Sequence, residues 1–279
     1  MRRRAWIARA AAGAIGVAGA RWLAACARGA GAALPSPLGV QLYTVRALLA
    51  EDIPGTLGKV AAIGYREVEL AGLHGATPTA FRAHLDDAGL VAPSSHVALG
   101  EVRADLDRLL EDASTLGVRM LIVPWLDAEE RSAEGYRKVA DDLEAAGSRA
   151  SEAGIRVGYH NQAYDHDPLD SGTGWDLLLQ RTEPSLVTMQ MDAYWAVAGG
   201  IDPLAALRDH AGRFTSIHAK DRSADGAMVD VGDGTIDFAA ILVAGRAQGL
   251  EHVFAEHDEP RDPLASIRSS YDHLAALES

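Results

Sequence analysis

The stretch EVRADLDRLLEDASTLGVRMLIVPW, residues 101–125, contains the unit that decides the fold. Residues 101–116 carry apolar side chains at helical spacing, and Arg119–Trp125 is a short apolar run typical of a buried strand. Gly117 stands between them, where glycine in the left-handed conformation ends a helix. The stretch therefore predicts a helix followed closely by a strand.

The same alternation runs through the chain from Leu34 onward. The predicted strands are Leu38–Tyr43, Arg66–Leu70, Val91–Val97, Arg119–Trp125, Ile155–His160, Leu186–Asp192, Arg213–Ala219 and His252–Glu256. The predicted helices are near 54–63, 77–88, 101–116, 132–153, 172–182, 202–210, 236–248 and 262–277. Strands separated by helices pair in parallel with right-handed crossovers, and eight such units match a closed (β/α)8 TIM barrel. A doubly wound open sheet is the alternative, but no glycine-rich phosphate fingerprint follows the first strand.

Composition excludes several classes of protein. The chain of 279 residues has one cysteine, which excludes an intramolecular disulfide framework and a cysteine-rich zinc module. Its net charge is −13, and the five arginines among residues 1–26, where no acid occurs, leave −18 for the remainder. Nucleic-acid binding needs a basic face. We therefore expect no nucleic-acid partner, and the composition disfavours a DNA-cleaving enzyme such as an apurinic endonuclease.

Residues 1–33 are predicted to be an export signal and linker, so the barrel domain is placed at 34–279. Arg2-Arg3-Arg4-Ala5-Trp6-Ile7 precedes the apolar run 10–20, which is too short to span a membrane. The paired arginines resemble a twin-arginine export signal. Leu23-Ala24-Ala25-Cys26 resembles a lipobox, in which Cys26 would be acylated and anchor the protein at the cell envelope. The alternative is an alanine-rich signal peptide cleaved nearby, with Cys26 discarded and the mature protein periplasmic.

Polar side chains follow six of the eight predicted strands. They lie in Val68-Glu69, Ser95-His96, His160-Asn161-Gln162, Gln190-Met191-Asp192, His218-Ala219-Lys220-Asp221 and Glu256-His257-Asp258. In a (β/α)8 barrel these strand ends meet at one mouth, where the active site forms. Taken singly, such residues are more often helix caps or hydrogen-bonded structure. Together they would repel unless a cation organises them, and their N and O atoms suit one divalent ion, Mn²⁺, Zn²⁺, Co²⁺ or Mg²⁺.

An ordered set of motifs resembles the xylose-isomerase-like TIM barrel superfamily of sugar isomerases and epimerases. The set comprises Gly39-Val40-Gln41-Leu42-Tyr43, Gly64-Tyr65-Arg66-Glu67-Val68-Glu69, Tyr159-His160-Asn161-Gln162, Met191-Asp192-Ala193-Tyr194-Trp195, His218-Ala219-Lys220-Asp221, Val231-Gly232-Asp233-Gly234 and Glu256-His257-Asp258. The resemblance implies one metal ion held by Asp192, His218 and Glu256. The family's fourth ligand is a Glu that ends strand five, at the position of Gly158 here. Either His160 binds the metal instead, or strand five contributes no ligand and water completes the site.

The resemblance also implies proton transfer on a carbon next to a carbonyl, with a metal-stabilised enediolate. Glu69 and His96, facing each other across the rim, are the predicted acid/base pair, and Lys220 is predicted to assist the oxyanion. The alternative for Lys220 is a salt bridge with Asp221 or Asp192, and for Glu69 a structural pair with Arg46.

Substrate contacts are predicted from aromatic and polar residues near the strand ends. Tyr43, Trp125 and Trp195 could stack on sugar rings, and Asn161 and His257 flank predicted ligands. A phosphosugar would need a cationic cluster, for which the rim offers Lys220, Arg222 and Arg46.

Three functions follow as expectations. The first is an exported, metal-dependent sugar isomerase or epimerase acting on a small carbohydrate. The second uses the same enolate chemistry to expel a β-oxygen, as a 3-keto-glycoside β-eliminase. The third is a non-catalytic periplasmic sugar-binding protein, which would show no metal dependence. Membrane association is expected only through a lipid on Cys26.

Overall fold

The structure, a computed structural model, describes residues 38–277. Eight parallel strands close into a barrel in the order β1-β10-β7-β6-β5-β4-β3-β2. These strands are β1 Gly39–Gln41, β2 Glu67–Ala71, β3 Val91–His96, β4 Met120–Val123, β5 Arg156–His160, β6 Val187–Asp192, β7 Phe214–Ala219 and β10 His252–Ala255. The predicted (β/α)8 TIM barrel is confirmed. The predicted export signal and Cys26 lie outside the described residues.

Helices surround the barrel. They are α1 Arg46–Glu51, α2 Ile53–Ile63, α3 Pro78–Ala88, α4 Leu99–Ala104, α5 Leu106–Leu116, α6 Ala133–Ser151, α7 Gly174–Arg181, α8 Ala193–Ala198, α9 Pro203–Asp209, α10 Phe238–Ala247 and α11 Pro263–Ala276. The helix predicted over 101–116 is two helices, because Asp105 has non-helical backbone angles (φ −156°, ψ 65°) and its side chain accepts from the Arg108 N–H to begin α5. The short helices α1 and α8 and a hairpin of β8 Asp221–Arg222 with β9 Met228–Val229 were not predicted. Among residues 38–277, no helix is both long and apolar enough to cross a bilayer.

Local sequence explains where several helices stop. Gly89 and Gly117, at the ends of α3 and α5, have φ values of 67° and 80°. These are left-handed conformations that favour glycine, and the next strand begins two or three residues later. The short connection returns each chain segment directly to the barrel.

The strands send alternate residues into the barrel and out to the helices. Outward residues such as Val157 and Tyr159 of β5 join the apolar core under α6. Inward residues crowd the barrel axis: a Cβ on Gly39 would lie 2.5 Å from Phe254 Cδ1. Further along the strands the inward residues become polar, and this layer forms the floor of the site.

Candidate active site

The carboxyl ends of the barrel strands bring most of the predicted site residues together. Glu69, His96, His160, Asp192 and His218 end or nearly end their strands, and Lys220 and Glu256 follow β7 and β10 directly. Above them opens a cavity of about 800 Å³, lined by Tyr43, His96, Pro124, Trp125, His160, Gln162, Trp195, Lys220, Met228, Glu256, His257, Asp258 and Glu259. The geometry is therefore a charged floor beneath a broad, partly aromatic wall.

Lys220 is a buried cation among three carboxylates. Its Nζ lies 2.9 Å from Asp192 Oδ2, 2.7 Å from Glu256 Oε2 and 2.8 Å from Asp258 Oδ1, and its side chain is 2% exposed. Burial alone would lower the pKa of Lys220, but the three carboxylates raise it above its usual value. Of the two alternative salt bridges, the one to Asp192 is present. Asp221 instead accepts backbone N–H groups.

His218 bridges two carboxylates on the floor. Its Nδ1 is 2.6 Å from Glu256 Oε2, and its Nε2 is 2.5 Å from Glu69 Oε2. Burial opposes a charge on His218, but the two carboxylates outweigh it and raise the pKa to about 10. A protonated His218 therefore donates to both carboxylates at neutral pH.

Glu69 lies beneath the cavity rather than on its wall. Its carboxylate accepts from Gln41 Nε2 at 2.8 Å, Ser94 Oγ at 2.5 Å, Gln190 Nε2 at 2.8 Å and His218 Nε2 at 2.5 Å, and His96 Nε2 is 3.1 Å away. Burial would raise the pKa of Glu69, but His96 and His218 hold it well below its usual range. The expectation that Glu69 faces His96 across the rim is wrong, because the two side chains are in contact. Arg46 does not pair with Glu69; it donates to the backbone oxygens of Tyr43 and Asp258.

Gln190 fixes the tautomers of two histidines. Its Nε2 donates to Glu69 Oε1 and to Ser216 Oγ, so its Oε1 is the acceptor. That oxygen lies 2.8 Å from His96 Nε2 and 3.0 Å from His160 Nδ1, which must therefore carry protons. The sequence reasoning missed this role of Gln190. The available signal was its position two residues before Asp192, on the same face of β6.

His160 and Asp192 direct unshared electron pairs at each other. Burial, together with the neighbouring rings of His218 and His96, lowers the pKa of His160 well below its usual value. The neutral ring, protonated at Nδ1, has a lone pair on Nε2, 3.6 Å from Asp192 Oδ2. That oxygen is buried, has no hydrogen-bond donor, and touches only the Lys220 ammonium as an ion pair. Burial raises the pKa of Asp192 to about 6, even though Lys220 favours the anion.

These residues fit a divalent metal ion. Asp192, His218 and Glu256 offer donor atoms that all lie within 4.8 Å of one another, as do His96, His160 and His218. On the floor, four carboxylates (Glu69, Asp192, Glu256 and Asp258) surround the Lys220 ammonium and the rings of His218 and His96. A metal ion bound to His218 would replace a proton on one of its nitrogens. The carboxylates outnumber the cations even so, and the nitrogen and oxygen donors suit Mn²⁺, Zn²⁺, Co²⁺ or Mg²⁺.

Strand β5 offers His160 as its ligand, not position 158. Gly158 pairs with Ile122 and Thr188 and lies one inward layer below His160. A Cβ at Gly158 would be 2.7 Å from both Ile122 Cδ1 and the Thr188 backbone oxygen. A ligand side chain could not occupy that position, so His160 is the residue of β5 at the level of the predicted metal ligands.

The predicted substrate contacts divide into two groups. Tyr43, Trp125, Trp195 and His257 line the cavity. The prediction for Asn161 is wrong, because its side chain is fully buried and committed to the backbone of Asp192. Asn161 Oδ1 accepts from the Asp192 N–H at 2.8 Å, and Nδ2 donates to the Asp192 oxygen at 3.2 Å. Asn161 thus holds the end of β6 in place.

A loop that the sequence did not predict completes one side of the mouth. The β8–β9 hairpin places Met228 on the cavity wall. The carboxylate of Asp221 accepts from the backbone N–H groups of Arg222, Gly232, Gly234 and Ile236. One buried side chain therefore anchors the returning loop to the end of β7.

Comparison with known proteins identifies the family. The family model described as "Xylose isomerase-like TIM barrel" matches residues 57–277. An inosose dehydratase of Geobacillus kaustophilus is 26% identical over 244 residues, covering 69% of this chain and 78% of that protein. Another inosose dehydratase, from Clostridium tetani, is 30% identical over 159 residues, covering 47% of this chain and 51% of that protein. This second match therefore spans about half the length of the relative.

Solved structures agree on the fold. A sugar phosphate isomerase/epimerase of Parabacteroides distasonis superimposes with a TM-score of 0.76 at 25% identity, covering 85% of this chain and 97% of that one. The IOLI protein, solved with a bound zinc atom, gives a TM-score of 0.69 at 16% identity, covering 87% of this chain and 98% of that one, and supports the fold alone. The chain belongs to the xylose isomerase-like TIM barrel family.

Proposed function

We propose that the protein is a sugar-acting enzyme that removes the proton next to a ketone and then expels an oxygen from the neighbouring carbon. The observation that carries this proposal is the Lys220 ammonium, which contacts Asp192 and Glu256 of the Asp192–His218–Glu256 donor group and lines the same cavity as His96. The similarity to inosose dehydratases supports an elimination. Isomerisation or epimerisation of a sugar is the second candidate, favoured by the similarity to a sugar phosphate isomerase/epimerase.

The acid/base chemistry is assigned to His96. Its Nε2 carries a proton toward Gln190 and Glu69, so Nδ1 is the basic atom. The Nδ1 lone pair lies 3.3 Å from the donor Gln41 Nε2, and the substrate proton would have to replace that contact. Glu69 lies 3.1 Å from His96 Nε2 and stabilises the imidazolium once His96 takes the substrate proton. Glu69 is then a positioning residue. An epimerase needs a second base on the opposite face, and the saturated Glu69 cannot supply it.

The remaining steps use residues on the cavity wall. The Lys220 ammonium stabilises the enolate oxygen that forms when His96 removes the proton. The C–O bond β to the ketone then breaks, and its electrons go to the leaving oxygen. His257 accepts the Glu259 N–H at Nδ1, so its Nε2 carries a proton that can pass to that oxygen. The products are an unsaturated ketone and water or an alcohol.

A divalent metal would be held by Asp192, His218 and Glu256, with His160 from strand β5. Such an ion supplies Lewis-acid polarisation of the ketone when bound. Asp192 Oδ2 is buried without a hydrogen-bond partner, and His160 Nε2 lies 3.6 Å from it.

The substrate is proposed to be uncharged. Lys220 is the one Lys or Arg side chain on the described cavity wall, and three carboxylates already surround it. Arg46 is committed to two backbone oxygens, and Arg222 is absent from that wall. A phosphate would therefore meet the carboxylates of Glu256, Asp258 and Glu259 without a free cation.

Proton exchange in D₂O tests the function. A keto-inositol incubated with the protein should lose the signal of its α-hydrogen in NMR spectra and develop the ultraviolet absorbance of an unsaturated ketone. His96→Ala and Lys220→Met should each lower the exchange rate by about 100-fold or more. His84→Ala, on helix α3, is the matched control. Unchanged exchange in both site variants would refute the scheme, and metal analysis before and after chelation tests the ion separately.

Export is a further part of the proposal. We propose that residues 1–33 direct the protein out of the cytoplasm and that Cys26 carries a lipid. The pattern of Arg2–Arg4, the apolar run and Leu-Ala-Ala-Cys supports it. Mass spectrometry of the membrane fraction should find an acylated Cys26 at the N-terminus, and Cys26→Ser should move the protein to the soluble envelope fraction. A mature protein that begins at a residue after Cys26 and carries no lipid would contradict the lipid anchor.

A further inference from the structure

Phe254 is a fully buried aromatic ring inside the barrel, next to the floor of the site. It lies on β10 two residues before Glu256 and is the register partner of His218 on β7. The rings of Phe254 and His218 meet edge to face, with centroids 6.1 Å apart and planes at 79°, within the range of favourable aromatic pairs. Phe254 therefore contacts a predicted metal ligand without offering a donor atom of its own.

The missing side chain of Gly39 makes room for the Phe254 ring. Gly39 is the register partner of Phe254 on β1, and a Cβ there would lie 2.5 Å from Cδ1 and 2.8 Å from Cε1 of the ring. The same Cβ would be 3.2 Å from Glu67 Cβ. Strand β10 lies between β1 and β7, so a ring displaced from Gly39 would move toward β7, where His218 lies.

His252 holds the Phe254 ring from the amino-terminal end of the barrel. It comes two residues earlier on β10, and the two rings stack with centroids 6.0 Å apart and planes at 17°. His252 Nδ1 donates to Glu67 Oε2 at 2.8 Å, and the Glu67 side chain is nearly buried. Glu67, His252 and Phe254 are not among the residues that line the described cavity. A hydrogen bond outside the site thus fixes one neighbour of Phe254, and the backbone at Gly39 limits the ring on another side.

The orientation of the His218 ring decides which atoms its two nitrogens contact. Nδ1 contacts Glu256 and Nε2 contacts Glu69, and His96 stacks on the ring with centroids 5.3 Å apart and planes at 18°. Hydrogen bonds to carboxylates on rotatable side chains tolerate some tilt of an imidazole, whereas close packing against another ring tolerates little. The contacts with His96 and Phe254 therefore limit the tilt that the hydrogen bonds leave free.

We propose that Phe254 is a positioning residue for His218, and through His218 for the metal donor group. Gly39 leaves the space that the Phe254 ring occupies, and His252 holds the ring in that space. This inference rests on the metal-binding part of the proposed function and extends it to residues outside the cavity. Outer contacts that orient a metal ligand change the metal affinity by about 10–100-fold when they are removed.

Cobalt binding to the metal-free protein tests this role, because Co²⁺ bound to nitrogen and oxygen ligands absorbs visible light. Titration with CoCl₂ gives both the affinity and the spectrum. Phe254→Leu should lower the Co²⁺ affinity about tenfold and shift the visible bands, since His218 can then tilt. Phe81→Leu removes another fully buried phenylalanine ring, from the outer core at α3, and is the matched control. It should change the Co²⁺ affinity less than about twofold, whatever its effect on the melting temperature.

A double variant separates positioning from general destabilisation. Gly39→Ala should also lower the Co²⁺ affinity about tenfold, because the new methyl group displaces the Phe254 ring. In Gly39→Ala combined with Phe254→Leu, the leucine leaves room for that methyl group. The affinity of the double variant should therefore match that of Phe254→Leu alone, whereas independent effects would multiply to about 100-fold.

A substitution at the amino-terminal end of the barrel keeps the test open if Phe254→Leu does not fold. His252→Gln removes the stacked ring and keeps an N–H donor for Glu67. Because the Phe254 ring then loses one of its supports, the Co²⁺ affinity should fall about threefold with a change in the visible bands.

The outcomes separate the positioning role from the proposed reaction. Four results would overturn the inference: wild-type Co²⁺ binding in Phe254→Leu or His252→Gln, an equal loss in Phe81→Leu, losses that multiply in the double variant, or a wild-type protein that binds no Co²⁺. The expected pattern of affinities in a protein that exchanges no α-proton would support the positioning role and refute the proposed reaction instead.

Discussion

Replacing Lys220 by methionine should strongly destabilise the barrel. The substitution keeps most of the side-chain volume and removes the one ammonium that contacts Asp192, Glu256 and Asp258. Asp192 and Glu256 are buried, so in a low-dielectric setting Asp192 would lose its nearest cation and Glu256 would keep only His218. Asp258 is 27% exposed, so water screens its charge and its share of the loss is smaller.

The magnitude follows from these contacts. Removing one partner of a buried ion pair costs about 3–5 kcal/mol, because the remaining charge is left uncompensated. For a domain of this size, about 2–4 °C of melting temperature is lost per kcal/mol, so Lys220→Met should melt about 6–20 °C below the wild type.

Urea unfolding and thermal melts of metal-free protein measure the loss. Lys59→Met, at an exposed position on α2, is the matched control and should stay within about 0.5 kcal/mol of the wild type. Divalent metal should raise the melting temperature of Lys220→Met more than that of the wild type, since the ion replaces missing positive charge. A loss below about 1 kcal/mol would show that the carboxylates do not depend on the ammonium and would refute the reasoning.

Three other substitutions test the buried framework. Burial raises the pKa of Asp165 from 3.8 to about 7, so between these pH values the folded protein keeps a proton that the unfolded chain releases, and stability falls as pH rises. Urea unfolding should show Asp165→Asn gaining on the wild type from pH 5 to pH 7, on the order of 1 kcal/mol per pH unit; parallel profiles would contradict this. Gln190→Leu removes four hydrogen bonds on the floor and should lower the free energy of unfolding in urea by about 3 kcal/mol or more. Gln180→Leu, at an exposed position, is the control and should change it little. Equal losses in the two variants would argue against the network. Gly158→Ala should destabilise by about 1–3 kcal/mol by overpacking, while Gly58→Ala, in an open position on α2, should stabilise the helix; melts giving both variants the same sign would refute the crowding at Gly158.

Local signals explain why the fold could be predicted. The glycines that end α3 and α5 and the apolar runs of the strands act through nearby residues, so the sequence displays them directly. The break at Asp105 was less accessible, because Val102 and Leu106 continue the apolar spacing of one helix across it. Only the side chain of Asp105, turned to cap the second helix, marks the boundary.

The sequence could predict those site residues whose position depends only on lying at the end of a strand. Asp192, His218 and Glu256 converge because parallel strands deliver their last residues to one mouth. The saturation of Glu69 could not be predicted, since its partners come from four other strands and depend on the register between them. Asn161 was misassigned for the same reason: its neighbour in space is the backbone of β6, which nothing in its own stretch indicates.

Asp192 divides its two oxygens between different tasks. Oδ1 accepts the Trp195 N–H and begins α8, while Oδ2 points into the charged floor. Asparagine is an equally good first residue for a helix, so Asp192→Asn would preserve the start of α8 and the placement of Trp195 while removing the negative charge. Alanine would disturb both at once. The shape of the sugar-facing wall and the electrostatics beneath it can thus be dissected independently at a single position.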